Sequence, residues 1–204
     1  VKKLTAKWGI MTMNKTWNIF KNWVMPILVG LLVAFLVKTY VFSMVRVDGH
    51  SMDPNLANNE RVFVSKIEKI KRNAIIVFNA HNVDPRATGS VFYVKRVIGL
   101  PGDKISYSQN GVLSINGKKT SQNYIDKEQS LSGTLSPIGM EKTGFNLKTL
   151  AAKEGWKNNR LVIPKGKYFV LGDNRYVSND SRYWGLVPAS KIEGTVKIPF
   201  WQHN

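Results

Sequence analysis

From Trp23 to Val37 the sequence reads WVMPILVGLLVAFLV, a run with no charged side chain and no polar face. A surface helix of a soluble domain needs a polar side as well as an apolar one, so this run points away from that structure. The apolar character resumes after Lys38 with TYVFSMV and ends at Val45. With the Lys38 ammonium snorkelling toward a headgroup, the stretch reaches the roughly 20 residues that a bilayer span requires. Trp17, Trp23, Tyr40 and Phe42 stand near its two ends, where amphipathic aromatics favour the membrane interface. Pro26 is expected in the first turn, where its missing N–H removes no helical hydrogen bond.

A buried core helix fits poorly, because Lys15 and Lys21 flank the run and it has no polar side. A cleaved export signal has the right charged start and apolar centre, but Ser43-Met44-Val45 is a poor small-x-small cleavage site. We therefore read residues 23–45 as one uncleaved transmembrane α-helix. Lys2, Lys3, Lys7, Lys15 and Lys21 precede it, and the first acidic residue is Asp48. The positive-inside rule then places residues 1–22 in the cytoplasm and everything from about residue 46 onward outside the cell membrane. The chain opens with Val1, while Met13-Asn14-Lys15 has the look of an ordinary start. Residues 1–12 are accordingly expected to be an upstream extension, with no function assigned to them.

The net charge of +17 suits anionic lipid headgroups. By charge alone it would also suit nucleic acid. No helix-turn-helix pattern precedes the strand-rich part, so membrane lipid is expected as a partner and nucleic acid is not. The absence of cysteine excludes disulfides, a thiol nucleophile and cysteine-ligated zinc. His50, His81 and His203 share no metal-ligand spacing with nearby carboxylates. No metal and no cofactor are expected.

Beyond the span the pattern is mostly β. Residues 61–65 (RVFVS), 74–78 (AIIVF), 91–94 (VFYV) and 167–171 (KYFVL) are short runs of strand formers. Asn110-Gly111 and Asn116-Gly117 sit between short apolar pieces and signal hairpins with positive-φ turn residues. No long segment after residue 46 shows a clear helical period. Residues 120–160, rich in Ser, Lys, Asn and Gly, are expected to form an irregular insertion or cap rather than core. Residues 46–204 are read as one catalytic domain.

The chemistry concentrates at a few places. Ser51 lies in Gly49-His50-Ser51-Met52-Asp53-Pro54, where glycine permits a close backbone approach and proline stiffens the turn. It is either a structural turn serine or a nucleophile, and no histidine–acid pair stands in a motif that would serve it. Lys95 lies in Tyr93-Val94-Lys95-Arg96-Val97-Ile98. Strand alternation puts Lys95 on one face and Arg96 on the other, so one cation is expected to point inward. A buried lysine has the lowered pKa that a base needs near neutral pH, whereas a surface lysine does not. The segment Gly172-Asp173-Asn174-Arg175 through Ser178-Asn179-Asp180-Ser181-Arg182 is dense in hydrogen-bonding groups. There Asp180 could pair with Arg175 or Arg182, and Ser178 or Ser181 could orient a buried amine.

Taken together, Gly49–Pro54, the run Tyr93-Val94-Lys95-Arg96-Val97-Ile98-Gly99-Leu100-Pro101-Gly102-Asp103, and Gly172–Arg175 with Ser178–Arg182 resemble three successive motifs of the type I signal peptidases. Their order, spacing and position after an N-terminal span match, over most of residues 20–190. The resemblance implies a membrane-bound serine endopeptidase with a Ser-Lys dyad, acting on exported preproteins by removing signal peptides after small residues of the Ala-x-Ala type. It implies that Ser51 attacks the scissile carbonyl and that Lys95 takes its proton. Ser178 would orient the amine, Asp180 and Arg182 would brace the site, and the Ser51 backbone N–H would donate to the oxyanion. Members with serine two residues before the nucleophile use that hydroxyl as a second donor. Here the position is Gly49, as in the Gram-positive type.

The sequence departs from the family pattern at Asn55, where threonine is usual, and at Asn73-Ala74, where Gly-Asp is usual. Altered turn stability rather than lost activity is expected there. Trp184, Phe200 and Trp201 are read as candidates for contact between the catalytic domain and the membrane, against the alternative of interior packing. Two rival readings are a self-cleaving repressor with a related serine–lysine domain and a silent docking protein. The apolar span argues against the first. The joint presence of Ser51, Lys95, Ser178 and Asp180 argues against the second.

Overall fold

A computed structural model describes residues 17–156 and 160–197. The expected upstream extension at 1–12, the basic residues Lys2, Lys3, Lys7 and Lys15, and Phe200, Trp201 and His203 lie outside the described residues. The chain divides into two units, Val1–Phe42 and Ser43–Asn204.

The first unit carries helix α1 (Trp17–Tyr40), the one helix among the described residues that is long and apolar enough to cross a membrane. Its 24 residues span roughly 36 Å at the α-helical rise, enough for a hydrocarbon core of about 30 Å. The helical stretch starts earlier than residue 23, but Pro26 stands in the first turn of its regular α-helical part, Met25–Tyr40, as expected. Just upstream, Phe20–Val24 forms a π turn in which the Met25 N–H donates to the Phe20 carbonyl. A widened turn of this kind is a known way for a helix to absorb a local break in its hydrogen-bond ladder.

The helix also ends sooner than expected. Phe42–Arg46, of which residues 42–45 are placed by the sequence within the span, is strand β1, with Ser43 and Val45 half-buried between exposed neighbours. The physical reason is the alternation of Phe42, Met44 and Arg46 with Ser43 and Val45, a period of two that suits a half-covered sheet edge.

After β1 come β2 (Arg61–Ser65), β3 (Ile75–Asn79), β4 (Phe92–Gly99), β5 (Ile105–Tyr107), β6 (Leu113–Ile115), β7 (Lys118–Lys119) and β8 (Phe145–Asn146). Then follow α2 (Leu147–Glu154), β9 (Lys167–Leu171), α3 (Ser181–Trp184), β10 (Val187–Pro188) and β11 (Ile192–Lys197). The described strands form a seven-stranded sheet, ordered β1-β2-β11-β3-β4-β9-β10, and a four-stranded sheet, ordered β7-β6-β5-β8.

Strand β4 lies inside the larger sheet, with Lys95 opposite Ile76 on β3 and Arg96 opposite Leu171 on β9. Buried residues cover both of its faces. Val94 belongs to a cluster with Met52, Leu56, Val62 and Val77. Val97 belongs to another with Ile76, Phe78 and Val170. For this reason the expectation of one inward cation is corrected: Lys95 and Arg96 are both buried, at 4% and 8% exposure.

Residues 120–160 also depart from expectation. They supply Leu135, Ile138, Phe145, Leu147 and Leu150 to the core under the smaller sheet. Helix α2 exists because Leu147, Leu150 and Ala151 fall on one buried face. A reciprocal capping box between Asn146 and Thr149 starts it, and Gly155 in the left-handed region ends it.

Candidate active site

Ser51 sits in a turn fastened at both sides. Met52 and Leu56 are fully buried beneath it, and the Leu56 N–H donates to the Met52 carbonyl at 3.0 Å. Gly49 has φ of +87°, a conformation that disfavours any side chain. Its N–H donates to Asn58 Oδ1 at 3.0 Å, and no atom lies within 4 Å of where a Cβ would stand. His50 is exposed and turned to Asp53, with Nδ1 2.8 Å from Oδ2. The Ser51 carbonyl accepts from the Asn174 N–H at 3.1 Å, which ties the turn to the loop after β9.

The Lys95 side chain reaches from the middle of β4 to this turn, and its Nζ donates to Ser51 Oγ at 2.7 Å. Burial pushes the amine pKa down to about 8, against Asp180, Asp173 and Asp84, which favour the charged form. The ring of Tyr93, two residues earlier on the same strand face, lies 5.4 Å from Nζ. This places a serine hydroxyl against an amine that is partly neutral near neutral pH. That is the chemical requirement for a lysine to act as base toward a hydroxyl.

The loop between β9 and α3 forms the rest of the site. Asp180 caps α3, and its fully buried carboxylate receives Arg182 Nε at 2.9 Å and the Gly172 N–H at 3.1 Å. Burial alone would push the Asp180 carboxyl up, but the Arg182 charge and these hydrogen bonds hold it below the usual carboxylate range. Of the two arginines considered from the sequence, Arg182 is therefore the ion-pair partner. Arg182 also donates to the carbonyls of Gly133, Arg175 and Ser178, which stitches the loop to the segment 133–134. Ser181 Oγ accepts from the Val170 N–H and is thus committed to β9. Ser178 Oγ is buried without a hydrogen-bond partner among the described residues, so the orienting bond to the lysine amine implied by the resemblance is not formed in this structure. Ser178 is nonetheless close by. A Cβ added at Gly172 would collide with both the Ser178 side chain and the Ser51 carbonyl.

Several contacts that carry the site had no signal in the sequence. Arg96 meets Asp173 through two bonds, Nε to Oδ1 at 2.7 Å and Nη2 to Oδ2 at 2.5 Å. Asn55, one of the departures, donates to Asp173 Oδ2 at 2.9 Å and to the Tyr124 carbonyl at 2.7 Å. Arg175 is fully buried, and its guanidinium donates to uncharged oxygens: the Gly172 carbonyl, Thr134 Oγ1, Gln122 Oε1 and Tyr124 Oη. The side-chain partners, Gln122, Tyr124 and Thr134, come from residues 120–134, whose polar composition reads as loop. Glutamine, threonine and tyrosine are too common in loops to mark a site by themselves. The other departure, Asn73, has φ of +64°, a left-handed conformation that asparagine tolerates better than most residues. Trp184 does not face outward: its ring packs on Phe78 with centroids 5.8 Å apart, which favours the interior alternative.

A mostly β fold with such a site places the chain among proteases, and comparison with known proteins agrees. The family described as signal peptidase, peptidase S26, matches residues 20–201. Signal peptidase IB of Staphylococcus aureus (strain Mu50) is 37% identical over 190 residues, covering 88% of each chain. Signal peptidase I of Streptococcus pneumoniae (strain R6) is 39% identical over 204 residues, covering 93% of this chain and 96% of that protein. The crystal structure of a signal peptidase I from Enterococcus faecalis V583 superposes with a TM-score of 0.46 at 33% identity, covering 64% of this chain and 99% of that one. The chain belongs to the signal peptidase family, peptidase S26.

Proposed function

We propose that this protein is a membrane-bound endopeptidase that removes N-terminal signal peptides from exported preproteins, cutting after small residues in an Ala-x-Ala pattern. The observation that carries the mechanism is the 2.7 Å contact between Lys95 Nζ and Ser51 Oγ, made by an amine held largely out of water. Neutral Lys95 accepts the Oγ proton as Oγ attacks the scissile carbonyl. The resulting ammonium returns the proton to the leaving amine, and the mature protein departs. Lys95 then takes a proton from the water that attacks the acyl ester and passes it to Ser51 Oγ as the ester bond breaks, which restores both side chains. The Ser51 backbone N–H serves the oxyanion, and donors of this kind are each worth about 100–1,000-fold in rate. Position 49 contributes no hydroxyl, and its N–H is engaged by Asn58.

Ser178 has a supporting role in this reading. Its buried hydroxyl offers the amine a second hydrogen bond once Ser51 is acylated and no longer available. Asp180 and Arg182 hold the loop that presents it. We further propose that α1 crosses the cell membrane once, with the basic N-terminus cytoplasmic and Ser43 onward outside. Tethering enzyme and substrate to one bilayer raises their effective concentration.

The test is cleavage of a preprotein with an Ala-x-Ala site by the detergent-solubilised protein, beside Ser51→Ala and Lys95→Ala. Cleavage at that site, lost in both folded variants, is the expected result. Full activity in either variant overturns the mechanism, and cleavage at unrelated sites overturns the substrate assignment.

A further inference from the structure

Asp84 lies in the turn between β3 and β4, outside the three motifs, yet it is buried at 2% exposure. Among the described residues no lysine, arginine or histidine pairs with it. A buried carboxylate without a cation is costly unless hydrogen bonds replace its water. Asp84 has three. Its Oδ2 accepts from Tyr93 Oη at 2.9 Å and from Asn179 Nδ2 at 2.5 Å, and its Oδ1 accepts from the Arg86 N–H at 2.9 Å.

One of those donors lies beside the Lys95 amine, and another belongs to the loop that braces the site. Tyr93 shares a strand face with Lys95, and its ring lies 5.4 Å from Nζ. Asn179 stands between Ser178 and Asp180, the two loop residues given supporting roles above. One carboxylate thus grips both the strand that carries the base and the loop that braces it.

We propose that Asp84 is a positioning residue for this site, fixing Tyr93 and Asn179 so that the Lys95 amine is held against Ser51. The inference rests on the proposed role of Lys95 as base. Its second consequence is electrostatic. The groups facing Lys95 are Ser51 from the nucleophile turn, Tyr93 from β4, Asp84 from the 81–86 turn, and Asp173, Asp180 and Arg182 from the segment after β9. Of these, Asp84, Asp173 and Asp180 favour the ammonium form, while burial and Arg182 oppose it.

The experiment compares pH profiles of kcat/KM for the full detergent-solubilised chain and its Asp84→Asn variant on one preprotein. Removing the charge moves the acid limb to lower pH, by about half a unit. Loosening the grip lowers plateau kcat about 10-fold with KM unchanged. A residue with a merely structural role would lower activity without moving the limb, so an unmoved limb in the folded variant overturns the inference. Asn179→Ala keeps the charge and removes one arm of the grip. It is expected to lower kcat several-fold and leave the limb in place. If Asp84→Asn does not fold, Asn179→Ala and Tyr93→Phe carry the test, and wild-type kcat in both overturns it. Lys95→Ala separates the two levels: retained cleavage there sinks the base assignment, whereas lost cleavage with an unmoved limb in Asp84→Asn sinks only this inference.

Discussion

Lys95 and Ser51 are 44 positions apart in the chain, and the amine of one lies 2.7 Å from the hydroxyl of the other. The contact joins the centre of a sheet to a turn whose backbone is held by buried Met52 and Leu56. Because the amine belongs to a strand with covered faces, its protonation is set by the interior and not by bulk water.

Activity should therefore follow the titration of a single amine. With the Lys95 pKa lowered to about 8, kcat/KM is expected to rise tenfold per pH unit well below 8 and to level off above it. A profile of initial rates between pH 6 and about 10 checks this, and a limb near the ordinary carboxylate range would contradict it.

The same shift bears on stability. The folded-state pKa lies below the unfolded value of 10.5, so the unfolded chain binds more protons between about 8 and 10.5. The contribution of Lys95 is then fully present above the unfolded pKa and lost as pH falls through the folded one. Lys95→Met should be more stable than the parent at pH 7, by at most about 3 kcal/mol, with the gain vanishing toward pH 10.5. Denaturant melts at the two pH values measure it.

Gly172 is the tightest joint in the site. Any Cβ there meets the Ser51 carbonyl as well as the Ser178 side chain, and a backbone carbonyl cannot swing aside as a side chain can. Gly172→Ala should lower kcat at least about 100-fold by displacing Ser51 or Ser178. A rate within threefold of the parent would show that the turn yields more easily than its anchors suggest.

Arg96 and Asp173 form a two-bonded pair in which the carboxylate is fully buried. Asp173→Ala leaves the guanidinium without its anion and also frees Asn55. A loss of about 3–5 kcal/mol is expected in equilibrium unfolding. The double replacement Arg96→Met with Asp173→Leu should recover part of that loss, since the pair is costly to desolvate in the first place.

Much of this was legible in the residues themselves. The runs at 61–65 and 167–171 are β2 and β9 with both ends in place. Asn116-Gly117 makes the two-residue turn between β6 and β7, with φ of +53° and +80°. Less legible was the full extent of β4, because Lys95-Arg96 interrupts the apolar run and only tertiary cover on both faces allows two adjacent cations inside. Helix α2 escaped notice because it is short and its apolar side is set by what it packs on. The end of the span was misplaced since residues 42–45 are as apolar as a helix end, and hydropathy does not distinguish lipid from a sheet edge. Within the site, family likeness pointed to Ser51, Lys95, Asp180 and Arg182, and the structure brings the first two together and pairs the last two. Asp84, Gln122 and Thr134 were not, because their roles arise from distances that no local pattern records.

The loop beside the amine is fastened by the guanidinium groups of Arg175 and Arg182, which donate to backbone carbonyls and to the Asp180 carboxylate and stay charged at any pH a cell encounters. Alkali that strips the proton from Lys95 leaves those fastenings untouched. On the proposed mechanism, a rise in pH that frees Lys95 to act as base therefore leaves in place the loop that holds it.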